Sequence, residues 1–405
     1  MANTTTAPGI SGARESRVSN EGTRQRYNLM DLARQIPDAI ELGRGDPDLA
    51  TPPHIIAAAK EAIDRGAQEI SDPAGLPELR SAIADKLARE NGVRVDAAHG
   101  VVVTTGGQEA LFLLIQTILK PGDEIIVPDP RYTSYDVAIQ MAGGVLVSVP
   151  THECDGFDVD PDEVGRHITP RTRAILLITP GNPTAGTITP PNLRAIAELA
   201  RRHDLLVISD EIYEKFLYDG AEHLSIGSLP GMAERTITLN GFSKTYAMTG
   251  WRVGYAAGPR ATMRALRRRK QLCSVCAPVV SQWAALAALR GPQDSVAEFH
   301  RIYTRRRAMM LRSLDRLGFT YGEPRGAFYV FANTSSTGMD SIDLSLKLLQ
   351  EGHVLIFPGT GFGEQWVNYL RFTLLQPDDV LAEAMARVER CLGAAHKRQE
   401  EGAPA

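Results

Sequence analysis

At 405 residues the chain has length for about two or three domains and a substantial core. Its 23% charged and 43% hydrophobic residues match ordinary globular usage and exclude a mostly disordered, collagenous or coiled-coil chain. Lys plus Arg number 44 and Asp plus Glu 48, so the formal charge of -4 offers no global basic field for nucleic acid or an anionic membrane, which leaves an enzyme or a binding protein.

In chain order, residues 1–24 are polar and rich in Ser and Thr. Their arginines allow an organellar transit peptide, but Glu15 and Glu21 argue against one, and the segment reads as a flexible N-terminal arm. The sequence then alternates short apolar runs with helical patterns. Strands are predicted at Val101–Thr104, Glu124–Val127, Val145–Ser148, Ala174–Ile178, Leu205–Ser209, Thr236–Leu239 and Val253–Ala256, with amphipathic stretches such as 108–119 and 191–203 between them. Continuous apolar strands separated by helices predict an α/β fold whose mostly parallel, doubly wound sheet is covered on both faces. From about residue 260 the pattern changes to long helices over 260–290 and 294–317. Short strands near Phe328–Phe331 and Tyr369–Phe372 and a closing helix from Pro377 follow, the pattern of a smaller α+β domain. Residues 25–55 are too short to fold alone and are expected to join that domain. The resulting division is 1–24 as arm, 56–300 as large domain, and 25–55 with 301–405 as small domain.

Cys154, Cys273, Cys276 and Cys391 do not form a disulfide framework in so long a chain, and they suit a reducing, cytoplasmic setting. No window approaches the roughly 18 to 20 apolar residues of a membrane span, and the N-terminus lacks the apolar core of a secretory signal.

In a doubly wound sheet, ligands bind beyond the carboxyl ends of the strands. Those ends carry Gly106-Gly107-Gln108, Pro128-Asp129-Pro130-Arg131-Tyr132, Pro180-Gly181-Asn182-Pro183-Thr184, Asp210-Glu211-Ile212-Tyr213 and Gly241-Phe242-Ser243-Lys244. A glycine pair between strand and helix leaves backbone N–H groups and a helix dipole free for a phosphate. Taken singly, each of these residues reads as an ordinary turn, cap or surface position. Five such groups converging on one crevice outweigh that reading.

The run Gly241-Phe242-Ser243-Lys244-Thr245-Tyr246-Ala247-Met248-Thr249-Gly250-Trp251-Arg252-Val253-Gly254 resembles the lysine signature of class I/II pyridoxal phosphate aminotransferases, the aspartate aminotransferase-like group of fold type I. The resemblance extends to Gly45-Asp46-Pro47-Asp48, to Pro73 through Arg80, to Asn182-Pro183-Thr184, to Asp210 through Tyr213, to Gly326 through Tyr329, to Pro358 through Gly363, and to Tyr369-Leu370-Arg371. It leaves out only the first 25 or so residues and the tail after about 395.

The resemblance implies a seven-stranded large domain, pyridoxal 5′-phosphate as cofactor, and a homodimer. It also implies amino transfer from an L-amino acid to a 2-oxo acid by a ping-pong route. Lys244 resembles the lysine that holds the cofactor as an internal aldimine and then shuttles a proton. Asp210 resembles the carboxylate that keeps the pyridine nitrogen protonated. Tyr213 and Asn182 resemble the donors to the ring's phenolic oxygen, and Tyr132 the aromatic stacked on the ring. The phosphate falls to Gly106, Gly107, Gln108, Arg252 and Ser243. Arg371 is similar to the arginine that grips the substrate's α-carboxylate as a bidentate fork, with Gly45 and Asn182 beside that carboxylate.

Two positions depart from the family pattern. Ile70 stands where members carry a Tyr that reaches the neighbouring subunit's phosphate, and Gly241 stands where many carry Ser. Gln108 replaces a Lys found in some members that use acidic substrates, which leaves the amino acid open among acidic, neutral and aromatic ones.

Other features read as structural. Cys273 and Cys276 have metal-ligand spacing without a second pair, so buried helical positions are expected and no metal site. Arg264, Arg267, Arg268, Arg269 and Lys270 read as a solvated helix face. A lyase or cyclopropane-forming synthase on the same fold is an alternative, since the cofactor stabilises the same carbanion. A non-catalytic sensor is a further one, weakened by a leader too short for a helix-turn-helix domain.

Overall fold

The computed structural model of the protein describes residues 21–67 and 69–401, with side chains for 26–67 and 69–393. Its centre is a seven-stranded sheet. Across the sheet the strands run Val101–Thr104, Gly254–Ala257, Thr236–Gly241, Leu206–Asp210, Thr172–Ile178, Glu124–Asp129 and Val145–Pro150. All neighbouring pairs are parallel except those made by Gly254–Ala257, which is antiparallel to both of its neighbours.

The strand cores are apolar without alternation because helices cover both faces. Ile175, Leu176 and Leu177 are all fully buried, the first and third against one helical layer and the second against the other. Pro190–Arg202 shows how a covering helix is specified. Prolines occupy its first turn, where a missing N–H costs nothing, and Leu193, Ile196, Ala197 and Ala200 form its buried stripe. Each fully buried Leu or Ile of this kind contributes about 2 kcal/mol.

A second region holds a four-stranded antiparallel sheet in the order Phe357–Pro358, Tyr369–Thr373, Tyr329–Asn333 and Thr320–Tyr321. Here Ile40–Glu41 pairs in parallel with Val354–Leu355, so the N-terminal segment does pack against the C-terminal one. The helices Asp294–Arg316 and Asp378–Glu401 complete this part, around a core that runs from Leu42 to Leu392.

Residues 1–20 of the arm expected over 1–24 lie outside the described residues, and 21–24 open a helix, Glu21–Ala33. Other expectations need correction. The long helix over 260–290 is two helices, Arg260–Cys273 and Val279–Arg290. Pro278 disfavours helical backbone at Ala277, and Val275 takes a left-handed φ of 60°, so the chain turns between them. Cys273 is consequently exposed at a helix end and Cys276 half-buried in the turn, rather than both buried on a helix. Lys270 is not on a solvated face at all, for its exposure is 0%.

Beneath the carboxyl ends of the central strands lies a closed polar network. Lys86 pairs with Glu214 and donates to Asn91 Oδ1 at 2.7 Å. Asn91 Nδ2 donates to Glu214 Oε2 at 2.6 Å, and Ser225 Oγ to Glu211 Oε2 at 2.6 Å, with His223 Nε2 3.0 Å from the same oxygen. Glu214 is held below the usual carboxylate range; burial opposes this, but Lys86 and His223 prevail. Removing one member of a buried pair strands the other. Lys86→Met is therefore expected to lower unfolding stability by about 3 kcal/mol, read as a shift of the urea midpoint, whereas an unchanged midpoint would show that Glu214 needs no counter-charge.

Candidate functional site

The carboxyl ends of the central strands open into a cleft of about 460 Å³ that also receives residues from the N-terminal segment and from the antiparallel sheet. Gly45, Gly107, Gln108, Tyr132, Asn182, Asp210, Tyr213, Ser243, Lys244, Arg252 and Arg371 all line it. Gly106 lies just beneath, against Arg252.

Asp210 ends the strand Leu206–Asp210, and Lys244 follows the neighbouring strand Thr236–Gly241, so strand adjacency brings the two groups into one space. Asp210 Oδ2 accepts from the Tyr135 hydroxyl at 2.9 Å, and Oδ1 from the Ile212 N–H at 3.3 Å. Burial pushes the Asp210 carboxyl up to about 6, with neighbouring Glu211 adding to the rise and the bond from Tyr135 opposing it. The Lys244 amine donates to the Gly45 carbonyl at 2.6 Å. Burial brings its pKa down to about 8, assisted by the positive charges of Arg371 and Arg252 and opposed by Asp46 and Asp210. Both groups are thus moved toward neutrality at physiological pH, as at sites where a proton must change hands.

On one wall the Tyr213 and Tyr329 hydroxyls lie 2.9 Å apart, and Asn182 Nδ2 donates to Tyr213 at 3.5 Å. Arg371 is buried. It donates from Nη1 to Asn182 Oδ1 at 2.9 Å and from Nη2 to the Gly43 carbonyl, while Nε has no partner among the described residues. Its guanidinium lies 4.5 Å from the centre of the Tyr329 ring and 4.6 Å from that of Phe362, an aromatic clamp that fixes the plane of the fork.

At the other end, the helix Gly106–Ile118 begins with Gly106 at φ 77°. A Cβ there would lie 2.5 Å from Arg252 Nη2, so only glycine allows the guanidinium to close over the turn. Tyr132 stands at the rim with its hydroxyl 3.3 Å from Gln108 Oε1. Of the two departures, Ile70 is 72% exposed and does not line this cleft. A Cβ at Gly241 would lie 3.1 Å from Gly254 Cα, so the antiparallel neighbour leaves little room for a Ser.

Three contributors were missed by reasoning from sequence. Tyr135 reaches Asp210 across 75 residues of chain, and nothing local marks it. Tyr329 was visible only as part of a motif without an assigned role. Arg26 lines the cleft from the helix Glu21–Ala33, inside the segment expected to be small-domain packing.

Comparison with known proteins gives the family. Residues 37–388 match the family model for aminotransferase class I and II. The chain is 41% identical over 366 residues to aromatic-amino-acid aminotransferase 2 of Thermococcus litoralis, covering 90% of this chain and 94% of that protein. It is likewise 41% identical over 369 residues to the aspartate/prephenate aminotransferase of Thermus thermophilus, with 90% and 94% covered. The crystal structure of aspartate aminotransferase from Thermus thermophilus with maleate superposes with a TM-score of 0.87 at 40% identity, covering 92% of this chain and 97% of that one. With its seven-stranded α/β core and these relatives, the chain belongs to the class I and II aminotransferases, enzymes that use pyridoxal 5′-phosphate to transfer amino groups.

Proposed function

We propose that this cleft is where an L-amino acid gives up its amino group to a 2-oxo acid, in two half-reactions served by one set of side chains. The observation that carries the reading is the convergence of Lys244, Asp210 and Arg371 on one cavity, the first two with shifted proton affinities. The relatives' names support amino transfer, and none favours a lyase or synthase.

The donor set fits pyridoxal 5′-phosphate. A glycine-opened helix start beside Arg252 suits the phosphate, Asp210 suits a protonated ring nitrogen, and the Tyr213 and Asn182 side chains suit a phenolic oxygen. When bound, the cofactor supplies an electron sink for the carbanion at the amino acid's Cα. The rest is the chain's own work. Arg371 holds the α-carboxylate through its fork, the unpartnered Nε included, with Gly45 and Asn182 beside it. That grip turns the Cα–H toward Lys244, whose amine is basic enough to take a proton and acidic enough to return it. Asp210 stays ionised once a cation faces it, and Tyr135 and the Ile212 N–H orient it. Tyr132, at the rim, would lie against a ring held in the cleft, and Ser243 would join the residues that hold a phosphate.

Residues 56–300 form the large cofactor domain in this reading, and 25–55 with 301–405 the small one that closes the substrate side. The enzyme works in the cytoplasm as a homodimer. Exposed Ile70 shares a shallow surface pocket with Cys276 through Val280, and exposed Leu272 and Val275 flank that segment in sequence, an apolar area suited to a second copy. Among the described residues no helix is long and apolar enough to cross a membrane.

Replacing Lys244 with Ala should remove transamination altogether, in a coupled assay with an amino acid and 2-oxoglutarate; residual turnover at even about a thousandth of wild type would argue that another base serves. Below about pH 8 the Lys244 amine holds its proton and has no lone pair to offer. Capture of added pyridoxal 5′-phosphate by the cofactor-stripped chain, followed by absorbance, should accordingly accelerate as pH rises through about 8, and a flat profile contradicts the role. Light scattering should give twice the 44.0 kDa of one chain, with Ile70→Glu shifting the mass toward the single chain; a wild-type monomer that is fully active would refute the dimer.

A further inference from the structure

The basic run of the helix Arg260–Cys273 contains a member that does not meet solvent. Lys270 shares the buried stripe of that helix with Met263 and Leu266. Its ammonium donates to Glu109 Oε2 at 2.7 Å and to Ser274 Oγ at 2.8 Å, and the Ser274 hydroxyl donates in turn to Glu109 Oε1. The second acceptor role of Glu109 is the informative one. Its Oε2 also takes the backbone N–H of Thr105 at 2.6 Å, the residue that opens the helix Gly106–Ile118 and whose own side chain makes no capping bond. Glu109 therefore caps backwards from the first turn, using a different amide from those of Gly107 and Gln108, the two residues of that turn that line the cleft.

This arrangement poses an electrostatic problem. A carboxylate in the first turn complements the helix dipole, but an anionic ligand at the same helix start uses the same field and is repelled by that carboxylate. A buried cation on the carboxylate removes the repulsion. Glu109 remains ionised: burial alone would raise its proton affinity, yet the bonds from Lys270, Ser274 and the Thr105 N–H hold it below the usual range. None of Lys270, Ser274 or Glu109 lines the cleft, so the three act on the turn from behind it.

We propose that Lys270, with Ser274, is a positioning residue for the anion-binding turn: it neutralises and aims Glu109, which fixes Thr105 and so directs the Gly107 and Gln108 amides at the ligand. The inference rests on the reading that this turn holds the cofactor's phosphate.

The test titrates the full-length, cofactor-stripped chain with pyridoxal 5′-phosphate and separately with pyridoxal, which lacks the phosphate. Wild type should prefer the phosphorylated form. Absence of any binding would undo the cofactor reading itself and this proposal with it. In Lys270→Met the affinity for pyridoxal 5′-phosphate should fall about tenfold while that for pyridoxal changes less than about twofold. The double variant Lys270→Met/Glu109→Gln should recover most of the loss, because the amide keeps an acceptor for the Thr105 N–H without the charge. An unchanged affinity, an equal loss for both ligands, or a double variant no better than the single one would overturn the role. Should Lys270→Met fail to fold, Ser274→Ala is measured on the same ratio, with about a threefold fall expected and an unchanged ratio overturning it.

Discussion

An amine and a carboxyl group of shifted proton affinity, facing one cavity from neighbouring strand ends, are what the rest of this molecule is built to hold. The registration of Asp210 opposite Leu239 places the end of one strand beside the end of the next, and Lys244 follows a few residues on. Parallel strands make this possible, since all their carboxyl ends open on the same side. Both side chains are half-buried in the cleft walls, and burial is the largest cause of both shifts. Full exposure would restore ordinary proton affinities, and with them an amine protonated throughout the neutral range.

Holding the front of the strand ends requires a rigid back. Side chains alternate along an extended segment, so Asp210 faces the cleft while Ser209 and Glu211 face away from it. On that far side Ser209 donates to Glu211 at 2.8 Å, and the network of Lys86, Asn91, Glu214, His223 and Ser225 closes around them. Asn240 carries it to the next strand: its amide donates to Glu214 Oε1 at 3.1 Å and its carbonyl oxygen accepts the Gly241 N–H at 2.7 Å. The turn that delivers Lys244 is thereby tied to the segment that delivers Asp210, through Glu214 behind the strand ends and Asn240 at the edge of the cleft. Glu109 and Lys270 repeat the pattern at the other end, an ion pair behind a turn.

What could be read from sequence follows the range of the interactions. The seven strands were legible because a strand covered on both faces must be apolar throughout, and the strand-end groups because such ends must face the cleft. The break at Pro278 was equally local and was passed over in favour of a continuous helical pattern. Lys270 shows a different limit. Its spacing from Met263 and Leu266 marks it as buried, but the surrounding arginines made the run look uniformly solvated. Tyr135 had no local signal, because its partner Asp210 is brought to it only by the order of strands in the sheet. The strand-end groups of the cleft were therefore readable together though not singly, and Gly45, Arg252 and Arg371 through the family resemblance, whereas the groups that support the cleft from behind were not.

The arrangement also sets a direction for stability. The Asp210 carboxyl, raised from 3.8 to about 6, keeps in the fold a proton that the unfolded chain releases. Its contribution is most favourable below 3.8 and is lost as pH rises through about 6. The Lys244 amine, lowered from 10.5 to about 8, gives up in the fold a proton that the unfolded chain keeps, so its penalty is fully present below about 8 and disappears as pH rises toward 10.5. Between about 6 and 8 both penalties stand together, each on the order of 3 kcal/mol from shifts of two units or more. That is a large share of the 5 to 15 kcal/mol, roughly, by which a domain is stable. A cation facing Asp210 would relieve the first penalty, and covalent attachment that takes the proton from Lys244 would relieve the second. A ligand that offers a cation to Asp210 and an electrophile to Lys244 therefore meets both demands of the cleft, while the bond from Asn240 to Glu214 ties the two strand ends together from the side.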